Sequence, residues 1–353
     1  MSSIFIPPPA KVLVTGANGF ISVWICRQLL EAGYAVRGAV RDPSKGDYMA
    51  TLFKSFGIWE KFEYMIVKDV ASPTAYDAAV QGVDAVIHTA SPVGAGGKPE
   101  DTINPAVQGT VSILSSSLRF GPTVKRIVVT SSAVSVLEPH DEPYLYTEED
   151  WSESALRTYE EHGDETDGVT VYRVSKVMAE RKAWVFMDEH KEAGFDLVTI
   201  LPTYVWGPLL QDTSRMKAPN ASMQVLTSCL VEEKTAEECG PYYSDWVDVR
   251  DTALAHVRAV QVPAAGGERF LVSGGPFAWQ DIYDALATAE PPIPGIPRGS
   301  PGAKRTYGTP CSNEKSQQIL GMTYKPLSET AIDAIRSLDE KVPTWRESKE
   351  RSV

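Results

Sequence analysis

No apolar run in this chain approaches the ~18 residues that a membrane-spanning helix needs. No basic stretch with an apolar core precedes the first strand pattern; residues 4–10 read IFIPPPA, a stiff proline lead-in. Cysteine is scarce. Cys26, Cys229, Cys239 and Cys311 are scattered, with no C-x-x-C pair and no disulfide-framework spacing, the usage of free thiols in a reducing compartment. Positive charge is in deficit: 34 Lys and Arg stand against 46 Asp and Glu, a net charge of −12. That balance argues against nucleic acid or an anionic membrane as partner. There are no internal repeats, and no metal site is expected. These absences make the cytoplasm the expected location.

What is present is a globular composition, with 43% hydrophobic and 23% charged residues. At 353 residues it allows one large α/β domain or two domains that share a crevice. Its organising stretch is Lys11–Leu30, KVLVTGANGFISVWICRQLL. Val12–Thr15 suits a buried strand. A glycine turn follows at Gly16–Gly19, and then a helix with Ile21, Ile25 and Leu29 on one face. Strand, turn and helix form the setting in which G-x-x-G-x-x-[GA] binds a pyrophosphate. Gly16 permits the sharp turn, and Gly19 permits close backbone approach at the helix start. Ser22 stands at the third position; its hydroxyl adds bulk where helix and strand would pack closely.

Further strands are expected at Tyr34–Val40, Phe62–Val67, Val83–His88, Val124–Thr130, Asp196–Leu201, Tyr242–Val249 and Phe270–Ser273. Helices are expected at Ala75–Val80, Ile103–Leu118, Val171–His190, Ser222–Glu232, Arg250–Val260, Gln280–Thr288, Asn313–Leu320 and Glu329–Leu338. The strand at Tyr242 is expected to return to the main sheet. Val93–Pro99 reads as flexible, and Pro291–Gly302 as irregular. Residues 140–167 carry 11 acids against one Arg and read as a solvated surface excursion near the cleft.

The end of the second strand distinguishes two cofactors. A free ribose 2′-hydroxyl calls for a carboxylate there, and a 2′-phosphate calls for cations. Val40 stands at the acid's position, Arg41 follows, and Lys45 lies four residues on. Arg41 could fork onto a phosphate with Lys45 as a second charge, which predicts NADP(H); a solvated R-D-P-S-K turn with Arg41 on Asp42 is the alternative. Asp69 could accept from an adenine amino group or cap the next element. Thr89, Ala90 and Ser91 are small enough for a cofactor to pass closely, and His88 reads as a buried strand-end histidine.

The fifth strand delivers Ser131 and Ser132 at its C-terminal end, the edge where open α/β sheets hold ligands. Tyr172 and Lys176 are one helical turn apart on one face. A free phenol titrates near ~10, and a neighbouring ammonium favours its ionised form. The spacing alone also fits a plain surface pair; the serine strand end and the upstream nucleotide turn give it weight.

Together, TGANGFIS (15–22), VRDPSK (40–45), HTASP (88–92), VVTSSA (128–133), YRVSK (172–176) and LPTYVWGP (201–208) resemble the extended short-chain dehydrogenase/reductase superfamily. Within it the likeness is to the plant dihydroflavonol reductase and fungal aldehyde/ketone (methylglyoxal-type) reductase branch. VRDPSK, the acidic Trp-containing segment and WVDVRD (246–251) have counterparts there. The likeness runs from about Lys11 to Leu338. It implies an α/β fold: a Rossmann-type doubly wound parallel sheet with a smaller, mostly C-terminal α/β substrate-binding domain. Expected boundaries are 10–205 with about 240–262 for the nucleotide domain, and about 206–239 with 263–353 for the substrate domain.

The resemblance implies Ser132, Tyr172 and Lys176 as the catalytic set, with Tyr172 as general acid. Gly16, Asn18, Gly19, Phe20 and Ile21 would take the pyrophosphate. Arg41 and Lys45 would take the 2′-phosphate, Asp69 and Val70 would flank adenine, and Lys176 would also hold the nicotinamide ribose. Thr89, Ala90, Ser91, Pro202 and Val205 complete the cofactor set. An aromatic pocket of Tyr204, Trp206, Met223, Leu226, Tyr242 and Tyr243 is expected over the nicotinamide. The V-Y-R-V-S-K context differs from the N-W-Y-C context of cinnamoyl-CoA reductases, against a CoA-thioester substrate. The expected activity is NADPH-dependent reduction of a small-molecule carbonyl by a monomer or homodimer. An NAD-dependent sugar-nucleotide epimerase or dehydratase, and a non-catalytic NADPH-binding protein, are the alternatives.

Overall fold

A computed structural model describes residues 4–91, 98–216 and 218–347. Seven parallel strands form the main sheet: β1 (Lys11–Thr15), β2 (Ala35–Val40), β3 (Phe62–Ile66), β4 (Ala85–His88), β5 (Arg126–Thr130), β6 (Asp196–Pro202) and β9 (Arg269–Val272). Their order is β3-β2-β1-β4-β5-β6-β9. Runs such as VLVT and RIVVT are apolar because both faces of this sheet are covered. The chain winds outward from β1 to β3 and then restarts on the other side of β1 with β4. The crevice therefore opens above the ends of β1 and β4. A second sheet of three strands, β10-β8-β7, holds β7 (Tyr204–Trp206), β8 (Tyr242–Asp248) and β10 (Gly275–Ala278).

The helices in chain order are α1 (Phe20–Glu31), α2 (Pro43–Ser55), α3 (Glu100–Phe120), α4 (Glu153–His162), α5 (Gly168–Glu189), α6 (Ala221–Val231), α7 (Ala236–Cys239), α8 (Val249–Gln261), α9 (Trp279–Ala287), α10 (Glu314–Leu320) and α11 (Leu327–Lys341). Helices α1 and α8 pack together over one face of the main sheet, and α3 and α5 over the other. A separate core lies between α6, α9, α11 and the small sheet, around Trp206, Phe277, Trp279, Ile335 and Leu338. Arg250 ties the two parts together. Its guanidinium meets Asp248 at the start of α8 and Asp333 on α11, each at 2.7 Å.

Several expectations change. Tyr242–Asp248 joins the small sheet, where it pairs with Tyr204–Trp206 and Gly275–Ala278. Arg269–Val272, assigned to the substrate side, closes the edge of the main sheet against β6. The small sheet therefore takes β7, β8 and β10, and the main sheet takes β9. Residues 75–80 form hydrogen-bonded turns, with Tyr76, Ala79 and Val80 buried beneath them. The R-D-P-S-K segment opens helix α2: the Asp42 carboxylate caps it by accepting from the Ser44 amide at 2.8 Å, and Pro43 takes the first helical position. The acidic excursion contains α4 and is not uniformly solvated. Glu148 and Tyr146 are buried, and Glu148 accepts from the Leu271 amide at 2.8 Å. Most of the segment read as flexible lies outside the described residues.

The small sheet also seals in an acid. Asp245 is 2% exposed. One of its oxygens accepts from the Tyr242 hydroxyl (2.9 Å) and the Cys311 amide (3.0 Å), and the other finds no hydrogen-bond partner among the described residues. Burial pushes this carboxyl up from 3.8 to about 6. Protonation thus favours the folded chain. The contribution is fully present below pH 3.8, is lost as the pH rises through about 6, and amounts to about 3 kcal/mol. Asp251, also buried, is pushed up to about 6 in the same sense. Urea midpoints at about pH 5 and about pH 7 test this. The wild type is expected to lose more stability between them than Asp245→Asn does, and equal losses would remove Asp245 as a source.

Candidate active site

The nucleotide turn is built by close contact between the ends of β1 and β4. Gly16 has φ +59°, and a Cβ placed there would lie 3.1 Å from the Ala90 Cα. Only glycine satisfies both conditions. Gly19 is the N-cap of α1, and a Cβ on it would meet the Gly16 carbonyl at 3.2 Å. The Thr15 hydroxyl organises the facing strand end: it lies 2.9 Å from His88 Nδ1 and accepts from the amides of Thr89 (3.2 Å) and Ala90 (3.1 Å). The extra hydroxyl of Ser22 is buried and lies 2.7 Å from the Thr89 hydroxyl, linking α1 to the end of β4. Asn18, Phe20, Ile21 and Ser91 are half-buried around this turn.

At the end of β2, Arg41 is exposed and makes no hydrogen bond or ion pair with a described residue. Its alternative partner, Asp42, is occupied with the α2 cap. Lys45 is paired with Asp212 at 2.8 Å, a contact across 167 residues that no local pattern announces. That pairing and the Ser214 cap hold the Asp212 carboxyl down at about 2. Nearby, the Tyr48 hydroxyl donates to the Leu210 carbonyl at 3.0 Å. Residues 210–214 thus lie strapped against α2. Exposed Asp69 caps its own turn at the Ala71 amide (2.9 Å), and Val70 beside it faces Gly109 of α3.

Ser132 ends the β5 strand run. It opens a 3-10 turn at Ala133–Ser135, with its Oγ accepting from the Val134 amide at 3.4 Å. Helix α5 packs on that turn. It is capped by Asp167, whose carboxylate accepts from the amides of Val169 and Thr170. Tyr172 and Lys176 lie on one side of α5, with the Lys176 ammonium 5.7 Å from the Tyr172 ring centroid. Lys176 is 7% exposed. Its charge and, above all, burial drive the neighbouring His88 down to about 3. His88 is therefore a neutral imidazole in the sheet core. Ser131 turns away from the crevice and donates to Glu180 at 2.6 Å.

Strand alternation sorts the remaining candidates. Pro202 is buried at the end of β6, level with Val272. Val205 points into the main apolar core, so its side chain serves packing. Tyr204 and Trp206 take the opposite face, toward the second core. Trp206, Met223 and Leu226 are fully enclosed there, with the Trp206 indole donating to the Ser222 carbonyl at 2.8 Å. All three side chains belong to the second apolar core. Tyr242 is tied to Asp245 and to the Thr309 carbonyl. Tyr243 is 47% exposed and leans on Trp279 at 4.3 Å between ring centroids. Half-buried Tyr204 and Tyr242 and exposed Tyr243 are thus the aromatic candidates that keep some exposed surface. Burial, then the neighbouring Tyr243 hydroxyl, raises the Tyr204 phenol above its ordinary range.

A family model described as the NAD dependent epimerase/dehydratase family matches residues 12–273. The chain is 36% identical over 345 residues to the ketoreductase azaE of Aspergillus niger, covering 94% of this chain and 98% of that protein. It is similar in structure to yeast methylglyoxal/isovaleraldehyde reductase Gre2 complexed with NADPH, with TM-score 0.83 and 32% identity over 95% of this chain and 99% of that one. Vestitone reductase from alfalfa gives TM-score 0.72 and 27% identity over 94% of this chain and 99% of that one. With the glycine turn, the doubly wound sheet and a match that spans most of its length, the chain belongs to the NAD dependent epimerase/dehydratase family of extended short-chain dehydrogenases/reductases.

Proposed function

We propose that this protein is an NADPH-dependent carbonyl reductase acting on aldehydes or ketones, with Tyr172 as general acid in a Ser132–Tyr172–Lys176 set. The observation that carries the reading is the pairing of Tyr172 with a buried lysine one turn along α5, beside a serine held at the end of β5. The glycine cradle fits a dinucleotide: the Gly16 site is closed to any Cβ by Ala90, and α1 offers its free amides beyond it. The ketoreductase relative and the NADPH-bound reductase structure support the same assignment. Val40 stands where NAD-dependent epimerases would want an acid, and Arg41 beside it favours NADPH over NAD.

In this mechanism NADPH, when bound, supplies the reducing equivalent. The chain's own residues handle the carbonyl oxygen. The hydroxyls of Ser132 and Tyr172 donate hydrogen bonds to it and stabilise the negative charge that develops there. Tyr172 then gives up its phenolic proton, completing the alcohol, and the Lys176 ammonium stabilises the phenolate left behind. Tyr204 and Tyr243 supply aromatic surface for a fairly apolar substrate. The division of labour between a nucleotide part and a substrate part, the cytoplasmic location and the monomer or homodimer state belong to the same proposal; the location rests on the four unpaired, buried thiols.

Two tests follow. Tyr172→Phe is expected to lower kcat by about 100-fold or more with methylglyoxal or isovaleraldehyde as substrate, while NADPH binding, read by cofactor fluorescence, is retained. Near-wild-type turnover would falsify the general-acid assignment. Arg41→Ala is expected to raise KM for NADPH about tenfold and leave KM for NADH almost unchanged. A parallel change in both would show that Arg41 does not read the 2′-phosphate.

A further inference from the structure

Glu180 is a charged side chain that the proposed mechanism does not use, and it is 1% exposed. Each of its carboxylate oxygens takes two hydrogen bonds. Ser131 Oγ (2.6 Å) and Ser135 Oγ (2.9 Å) donate to Oε2, and Thr199 Oγ1 (2.9 Å) and Arg269 Nε (2.7 Å) donate to Oε1. The Ser135 hydroxyl carries one proton, which is shared between Oε2 and the Ser132 carbonyl oxygen 2.7 Å away. The partners come from the end of β5, the 3-10 turn, β6 and β9. Arg269 extends the contact. It donates to the carbonyls of Glu148 and Asp150 and lies 3.7 Å over the Trp151 ring. This explains why the acidic excursion is held against the sheet rather than solvated.

Two features separate this carboxylate from an ordinary buried ion pair. It sits on α5, one turn after Lys176 and two turns after Tyr172, on the same side of the helix. Its Oε2 partners bracket Ser132: Ser131 precedes it in the chain, and Ser135 Oγ lies 2.7 Å from the Ser132 carbonyl oxygen. One rigid group thus joins the helix that carries the tyrosine and lysine to the strand end that carries the serine. Stability alone does not call for a charge here, because apolar residues of like volume commonly serve a buried site as well. Geometry does, since small misplacements of reacting groups slow catalysis steeply.

We propose that Glu180 is a positioning residue for the reduction, fixing Ser132 at its working distance from Tyr172 through Ser131 and Ser135. This rests on the reductase reading above. The test is a double-mutant cycle on the full chain with methylglyoxal, using Ser132→Ala, Glu180→Gln and the double variant, with NADPH affinity and thermal midpoint recorded for each. Glu180→Gln is expected to lower kcat about tenfold or more with NADPH affinity within about twofold. The double variant is expected to be no slower than Ser132→Ala, because the carboxylate acts through that serine. Losses that multiply, or an unchanged kcat in Glu180→Gln, overturn the proposal. Glu180→Gln leaves Arg269 without its counter-ion. If it does not fold, Ser131→Ala, which keeps the ion pair and cuts the serine link, replaces it in the cycle and is judged by the same rule. Ser132→Ala with wild-type turnover is a different failure: it overturns the role of Ser132 itself, and this proposal with it.

Discussion

The close approach of two strand ends sets most of this structure. Between Gly16 and Ala90 there is no room for a side chain, and the Thr15 hydroxyl bonds three successive residues of the facing segment, His88, Thr89 and Ala90. That contact closes β1 onto β4 at the point where the sheet changes its winding direction, so the crevice there has a polar floor made mainly of backbone. Ser22 extends the floor from the helix side by reaching the Thr89 hydroxyl. A hydroxyl that looks like excess bulk in a list of motif positions becomes, in three dimensions, a link between α1 and the end of β4.

The second half of the molecule depends on this arrangement at one remove. Helix α8 packs on α1, and its first turn carries the Asp248–Arg250 pair that reaches Asp333 on α11. The apolar cluster around Trp206 and Trp279 then has a fixed partner to close against. Both tryptophans lie deep in that cluster, and the exposed Tyr243 leans on one of them, Trp279. The same chemistry that suggests a binding pocket in one dimension, aromatic and sulfur-bearing side chains at helical spacing, suits a second core equally well. Only the direction of each side chain separates the two.

This difference runs through what was legible in the sequence. The strands of the main sheet could be read because each is a short apolar run beside a turn, and the glycine turn and the Tyr172–Lys176 spacing are local patterns. Helix α2 was also signalled locally, by Asp42-Pro43 as cap and first residue, but its cationic neighbours masked that signal. The sheet membership of β8 and β9 was not legible, since both are short strands near the same apolar core and only pairing tells them apart. The Lys45–Asp212 and Glu180–Arg269 pairs join residues 167 and 89 positions apart, and no spacing rule spans such distances.

The electrostatics follow from the same geometry. An acidic chain that takes a phosphate-bearing cofactor has to hold cations against its own net charge, and it does so by pairing some and leaving others open. Arg269 and Lys45 are neutralised by Glu180 and Asp212. Arg41, at the exposed end of β2, has no such partner among the described residues. Lys176 is a third case, because it is buried and its neighbour is a titratable ring. A charged His88 beneath it would add a like charge in a low-dielectric site. Burial prevents this by holding the imidazole at about 3, neutral throughout the physiological range, with its Nδ1 engaged by Thr15. His88 therefore adds no like charge to the ammonium.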